Sequence, residues 1–179
     1  MITSTLIIAF VVVVVLVLVR AVLARHVPAP SLLALEEQIK PVDMPAFRNL
    51  IDPGEEDYLR EHLPAHTFRD IQRQRMRAAL EYVRRTAYNG ALLLRVGEAL
   101  RGDHNPAVAA AARELVNNAL RLRVNARLDT LVLYGRMAMP GARISVGRIT
   151  DAYENLTQGL VRLARLQDPA SAARLSAAI

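Results

Sequence analysis

Cysteine is absent from the 179 residues, which removes disulfides and thiolate metal sites from consideration. Tryptophan is absent as well, and aromatic residues make up only 4% of the chain. A chain this poor in aromatics, rich in Ala, Leu and Arg and nearly without strand-like alternation, packs as helices through small side chains rather than as a sheet. Lysine occurs once, at Lys40, against 22 arginines. That skew reflects the base composition of the coding sequence more economically than it reflects selected phosphate chemistry. Catalytic signatures are missing too. The four histidines, His26, His62, His66 and His104, form no Ser-His-acid arrangement. The acids cluster together or stand beside arginines, which is solvation chemistry rather than general acid/base chemistry.

Charge is also absent from the first nineteen residues, and residues 6–19 are an unbroken apolar run. About 18 apolar residues can cross the roughly 30 Å hydrocarbon core as a helix. In lipid even the β-branched stretch 11–15 closes its backbone hydrogen bonds internally. No Lys or Arg precedes the run, and Arg20, Arg25 and His26 follow it where a small-x-small cleavage site would stand. The pattern predicts a retained single-pass anchor rather than a cleaved signal. Arg20 and Arg25 place the body on the cytoplasmic side of the inner membrane.

What remains is enough chain for one domain. Its charge is uneven: residues 36–61 hold eight acids and three bases, and residues 62–179 hold nine acids and eighteen bases. The expected organisation is an anchor over 1–25, an acidic neck of short helices over 26–63, a helical bundle over 64–168 and a frayed tail over 169–179. The fold class is all-α, with a transmembrane helix, short helices and an antiparallel three-helix bundle containing two long helices.

Local signals support that division. Val27-Pro28-Ala29-Pro30 is a stiff spacer. Ser31 caps a brief helix through Ile39, which Pro41 stops. Asp43 is a second N-cap, and Asp52-Pro53-Gly54-Glu55 has the capping-box pattern for a helix ending near Leu63-Pro64. From Ala65 to Arg101 there is no proline, and Met76, Leu80, Val83, Ala87, Ala91 and Leu94 make one stripe. The predicted helix is about 50 Å long and ends at Gly102 in left-handed geometry. Gly90 and Gly97 inside it imply a helix passing close by. Asn105-Pro106 opens a second long helix with a stripe of Val108, Ala112, Leu115, Ala119, Leu122, Ala126, Leu133 and Met137. A second row, Val116, Leu120, Val124, Leu128 and Leu131, widens its apolar surface enough to meet two neighbours, and Pro140-Gly141 closes it. Ser145 caps a third helix in which Ile149, Tyr153, Leu156, Leu160 and Leu163 face inward, and Asp168-Pro169 ends it. The two long helices outrun the third, and the neck is expected to cover what they leave.

Four groups of polar residues are candidates for function. His62 and His66 have helical metal-ligand spacing, with Asp57 and Glu61 close by, yet Pro64 between them breaks a shared face. Arg69, Arg73 and Arg77 recur every four residues, with Arg75, Arg84 and Arg85 nearby. Such a row repels itself unless something acidic answers it: anionic lipid, or Glu81 and the neck acids Glu55, Glu56, Asp57 and Glu61. No helix-turn-helix spacing or aromatic stacking motif supports nucleic acid. Asn118, Asn125, Asp129 and Arg136 line one side of the second long helix and read as its exposed face. Residues 140–145 lead into a helix N-terminus between Arg143 and Arg148 and read as an ordinary capped turn, without phosphate-loop glycines. The expectation is a non-enzymatic, single-pass membrane protein without cofactor or metal. Its bundle would be a scaffold or docking module, as an accessory subunit of a membrane complex, for a protein partner or a second copy. The alternative is a tethered basic module that binds anionic lipid or nucleic acid through Arg69, Arg73, Arg75, Arg77, Arg84 and Arg85.

Overall fold

A computed structural model describes residues 32–138, 148–168 and 172–173. These residues are helical, with no strand among them: α1 Leu32–Gln38, α2 Met44–Ile51, α3 Pro53–His62, α4 Ala65–Leu100, α5 Pro106–Ala138 and α6 Arg148–Gln167. Among the described residues no helix is long and apolar enough to cross a membrane. The expected anchor lies outside the described residues, as do the spacer, the Ser31 and Ser145 caps and the turn at 140–145.

The short helices start where their caps dictate. Asp43 accepts from the Ala46 amide at 2.9 Å and Asp52 from the Glu55 amide at 3.1 Å, each with a proline in the first turn. The reciprocal half of the capping box is not made. The Asp52 amide bonds Asn49 O instead, and the Glu55 carboxylate turns to Arg75. Asn105 likewise receives the Ala107 amide, at 3.0 Å, to open α5. Gly102 does not take a left-handed conformation. Arg101, with φ −61° and ψ −28°, still has helical geometry, and the turn closes through Asp103 N to Leu100 O.

The two long helices pack antiparallel, with Gly90 opposite Leu122 and Gly97 opposite Val116. A Cβ on Gly90 would stand 2.9 Å from Leu122 Cδ2, and one on Gly97 would stand 2.8 Å from Val116 Cγ2 and 3.1 Å from the Ala112 carbonyl. The glycines let α5 approach closely, as their place inside a helix predicts. On α5 the stripe from Val108 to Leu133 is buried, and Met137 is packed against it half-buried. On α4 the stripe holds only to Val83. Ala87, Ala91 and Leu94 are half-buried flanks, and the buried line runs through Thr86, Gly90, Leu93 and Gly97. The shift arises because Gln72, Arg75, Thr86 and Asn89 are buried polar residues that a stripe drawn from apolar residues leaves out.

Helix α5 is the middle one, contacting α4 along one side and α6 along another, while α4 and α6 touch little. The inward row of α6 is buried from Ile149 to Leu163. Helix α6, at 20 residues, covers only part of α5, at 33. The neck packs mainly on α4 rather than over the rest of α5: Phe47 of α2 lies 5.9 Å from the Tyr82 ring of α4, α3 packs on the start of α4, and α5 is reached through the Glu56–Arg136 pair. Of the tail, Ala172 and Ala173 are described, and Ala172 belongs to the core.

Candidate functional site

Glu56 of α3 accepts three hydrogen bonds. Its Oε1 accepts from Arg60 Nη2 at 2.7 Å, and its Oε2 accepts from Gln72 Nε2 of α4 at 2.8 Å and from Arg136 Nη2 of α5. Glu56, Gln72 and Arg136 are all buried, so one carboxylate ties three helices together. Burial pushes the Arg136 guanidinium below its ordinary pKa, but a guanidinium stays protonated and the pair stays ionic. Beside it Arg75 Nη2 donates to Asn49 O at 3.1 Å and to Glu55 Oε2 at 2.9 Å. Gln72, Arg75 and Arg136 clamp the neck onto the bundle, while Arg60 bonds within α3, and Gln72 Oε1 and Arg75 Nη1 are buried without a hydrogen-bond partner. Removing either partner of the Glu56–Arg136 pair strands a buried charge, at a cost of about 3–5 kcal/mol.

The polar line on α5 is a seam and not an exposed face. Asp129 and Arg136 are buried and Asn118 and Asn125 half-buried. Asn118 Nδ2 donates to Asn155 O at 3.4 Å, Asn125 Nδ2 to Arg148 O at 3.3 Å, and Asp129 Oδ2 accepts from the Ile149 amide at 3.2 Å. Asn125 and Asp129 meet the first turn of α6, whose free amides favour an anionic acceptor, and with Asn118 on Asn155 they fix the α5–α6 register, while Arg136 turns to Glu56. A second tie runs through Asn89, which donates to Lys40 O at 2.7 Å and Tyr153 Oη at 3.1 Å and accepts from Lys40 N at 3.0 Å. His62 and His66 lie on separate helices on either side of Leu63 and Pro64. His62 stacks on Tyr58, and His66 Nε2 faces Thr67 Oγ1. Among the described residues no three acids or histidines are grouped to hold a metal ion.

The six arginines singled out in α4 divide. Arg75 is buried against the neck, and Arg85 Nε pairs with Glu81 at 3.1 Å. Arg69 Nε donates to its own helix at Ala65 O, at 3.2 Å, with the side chain exposed. Arg73, Arg77 and Arg84 are exposed, and their spacing of four and seven keeps them on one side of α4. Arg84 lines a groove of about 470 Å³ between α4 and α5, floored by Val83, Ala87, Ala91 and Ala126 and rimmed on the far wall by Arg123 and Arg127. Beside the groove stands the second apolar row of α5. Val116 is buried against Gly97, but Leu120, Val124, Leu128 and Leu131 are exposed, between 42% at Leu128 and 68% at Leu131, and Tyr134 continues the row. The sequence pattern has this row meeting a second neighbour. It does not, because the first stripe and the polar seam already supply both contacts of α5.

Arg123 and Arg127 lie outside the arginines that charge spacing on α4 singles out. Their signal is present in the spacing of four beside an apolar row too wide for one seam, but counting charge on α4 alone passes it over. The arrangement sets three guanidiniums around an apolar floor next to an exposed aliphatic ridge. No protein-family model, curated protein or solved structure matches the chain.

Proposed function

We propose that the chain is a non-enzymatic, single-pass membrane protein whose helical body is an accessory module of a larger membrane assembly, held in place by contacts of the outer face of α4 and α5 with its surroundings at the membrane. The observation that carries the reading is the ridge from Leu120 to Leu131, an apolar row left exposed on the middle helix of an otherwise well-packed body. Rows of that size on a surface mark interaction sites. Four buried polar residues support the same reading, since Glu56, Arg136, Asp129 and Asn89 each have fold-holding partners. The uncharged residues 1–19 supply the anchor, and Arg20 and Arg25 behind them favour a cytoplasmic body.

Alkaline carbonate extraction of membranes, N-terminal sequencing and protease access on both sides of the membrane test the anchor and its orientation. The expected protein stays in the pellet, keeps its first residues and is cut in the body only from the cytoplasmic side. A mature N-terminus beyond Val19, or cleavage only from the opposite side, overturns the reading. Affinity purification in mild detergent, with charge reversal at Arg123 and Arg127 as the comparison, tests docking. Membrane proteins should co-purify with both forms, and the absence of any co-purifying membrane protein overturns the accessory reading.

A further inference from the structure

The occupant of the outer face follows from its shape and charge. Leu120, Val124, Leu128, Leu131 and Tyr134 recur every three or four residues along about 21 Å of α5, forming a ridge rather than a cleft. On its α4 side stand Arg84, Arg123 and Arg127, and on its other side the exposed Arg121. No acid lines the groove. The nearby acids are engaged, Glu81 with Arg85, Glu98 with Arg101 and Glu114 with Arg162.

We infer that this face lies on an anionic bilayer surface, with the ridge sunk to the headgroup–acyl boundary and the flanking guanidiniums on lipid phosphates. Apolar side chains projecting between basic residues are the pattern of interfacial helices, and anionic headgroups supply the charge that the arginines lack. A second copy docked through the same face would set arginine against arginine. A partner helix seated in the groove would leave Leu120, Val124 and Leu128 uncovered, since none of them lines it. The inference rests on the anchor reading in one respect: a tether holds the body at the membrane, so a weak surface contact suffices to orient it.

The chain has no tryptophan, so Leu131→Trp gives the full-length protein a single indole on the ridge. Tyr58→Trp gives one on the exposed surface of α3, which packs through Glu56 onto Arg136, on the side of α5 away from Leu131. Each variant is reconstituted into nanodiscs of phosphatidylcholine alone or mixed with phosphatidylglycerol, both containing brominated acyl chains. The expected result is a blue shift and loss of most Leu131→Trp emission in the anionic discs, little loss in neutral discs, and none for Tyr58→Trp in either. Charge reversal of Arg84, Arg123 and Arg127 together restores the emission. An indole that stays bright in anionic discs overturns the inference and leaves the anchor reading intact. One that is blue-shifted but unquenched also overturns it, because protein then covers the ridge. Equal quenching in both disc types overturns the anionic part. A chain that elutes apart from the discs overturns the anchor instead. Brominated phosphatidylglycerol vesicles added to that free chain then decide the ridge: quenching supports contact and its absence ends it.

Discussion

Arg136 and Arg127 stand on the same helix and meet opposite fates. Arg136 is buried on Glu56, and Arg127 lines an open groove between Arg123 and Leu131. The difference is set by what arrives from elsewhere in the chain. The acidic neck reaches the end of α5 and the start of α4, where it answers Arg136 and Arg75, but it does not reach the outer face. Arginine content therefore says little about function here, whereas the position of the neck decides which arginines are structural and which are available. A buried ion pair is weak evidence for stability but strong evidence for what breaks when one partner goes.

Glu56→Ala tests that contrast with the largest expected effect. The substitution leaves Arg136 and Gln72 without their shared acceptor and should cost about 3–5 kcal/mol. Arg127→Ala, on the open face, should stay within about 0.5 kcal/mol. Chemical denaturation of the full chain in detergent, followed by far-UV circular dichroism, measures both. Equal midpoints would remove the distinction between the two faces. The triple change Glu56→Leu, Gln72→Leu and Arg136→Met should recover much of the loss, because apolar packing can replace a buried pair once no buried amide is left unbonded.

The next effect separates the two sides of α5 at adjacent positions. Leu122 is fully buried and Arg121 exposed. Leu122→Ala removes methyl groups under Gly90 and should cost about 2–5 kcal/mol; Arg121→Ala should again stay within about 0.5 kcal/mol. A helix turned by one residue would exchange the two outcomes.

A smaller effect of opposite signs comes from two glycines. Gly97→Ala forces a methyl against Val116 and the Ala112 backbone, and overpacking of this kind costs about 1–3 kcal/mol. A methyl on Gly135 would meet no atom within 4 Å. Gly135→Ala should therefore stabilise α5 by roughly 0.5–1 kcal/mol through helix propensity alone. Thermal melts of the two variants beside the wild-type chain give both signs. If both destabilise, the outer side of α5 is covered by something that the ridge contacts do not include.

Much of the bundle is legible in the sequence because proline and cap residues mark its helix ends. The limits of α4, the opening of α5 and the inward row of α6 follow from such markers and from apolar spacing. The interior polar residues are not legible in that way. Asp129 and Arg136 read as surface, and Gln72 and Asn89 carry no signal, until partners distant in the chain are known, Glu56 for Arg136 and the Ile149 amide for Asp129. For the same reason apolar spacing misplaces half of the α4 stripe and makes the polar line on α5 look exposed. For the candidate site, the arginine row on α4 is visible in the sequence, but which of its members turn inward depends on where the neck docks. Its continuation through Arg123 and Arg127 emerges only when α4 and α5 lie side by side.

The smallest effect concerns the tie between α4 and α6, beside the point where Arg48 of the neck pairs with Glu154 of α6. Burial raises the Tyr153 phenol above its ordinary pKa, against a smaller opposing pull from the Asn89 amide. Tyr153→Phe removes one acceptor, but Asn89 Nδ2 keeps Lys40 O at 2.7 Å, so the loss at neutral pH should be about 1 kcal/mol or less. A phenol whose folded pKa lies above its unfolded value adds stability that is fully present below the unfolded value, about 10, and is lost as pH rises through the folded one. The wild-type chain should thus lose its margin over Tyr153→Phe as pH climbs past about 10. Denaturation midpoints for both proteins across an alkaline series check this. A gap that stays constant would show that the alkaline loss of stability does not pass through Tyr153, and the α4–α6 tie would then rest on apolar contact alone.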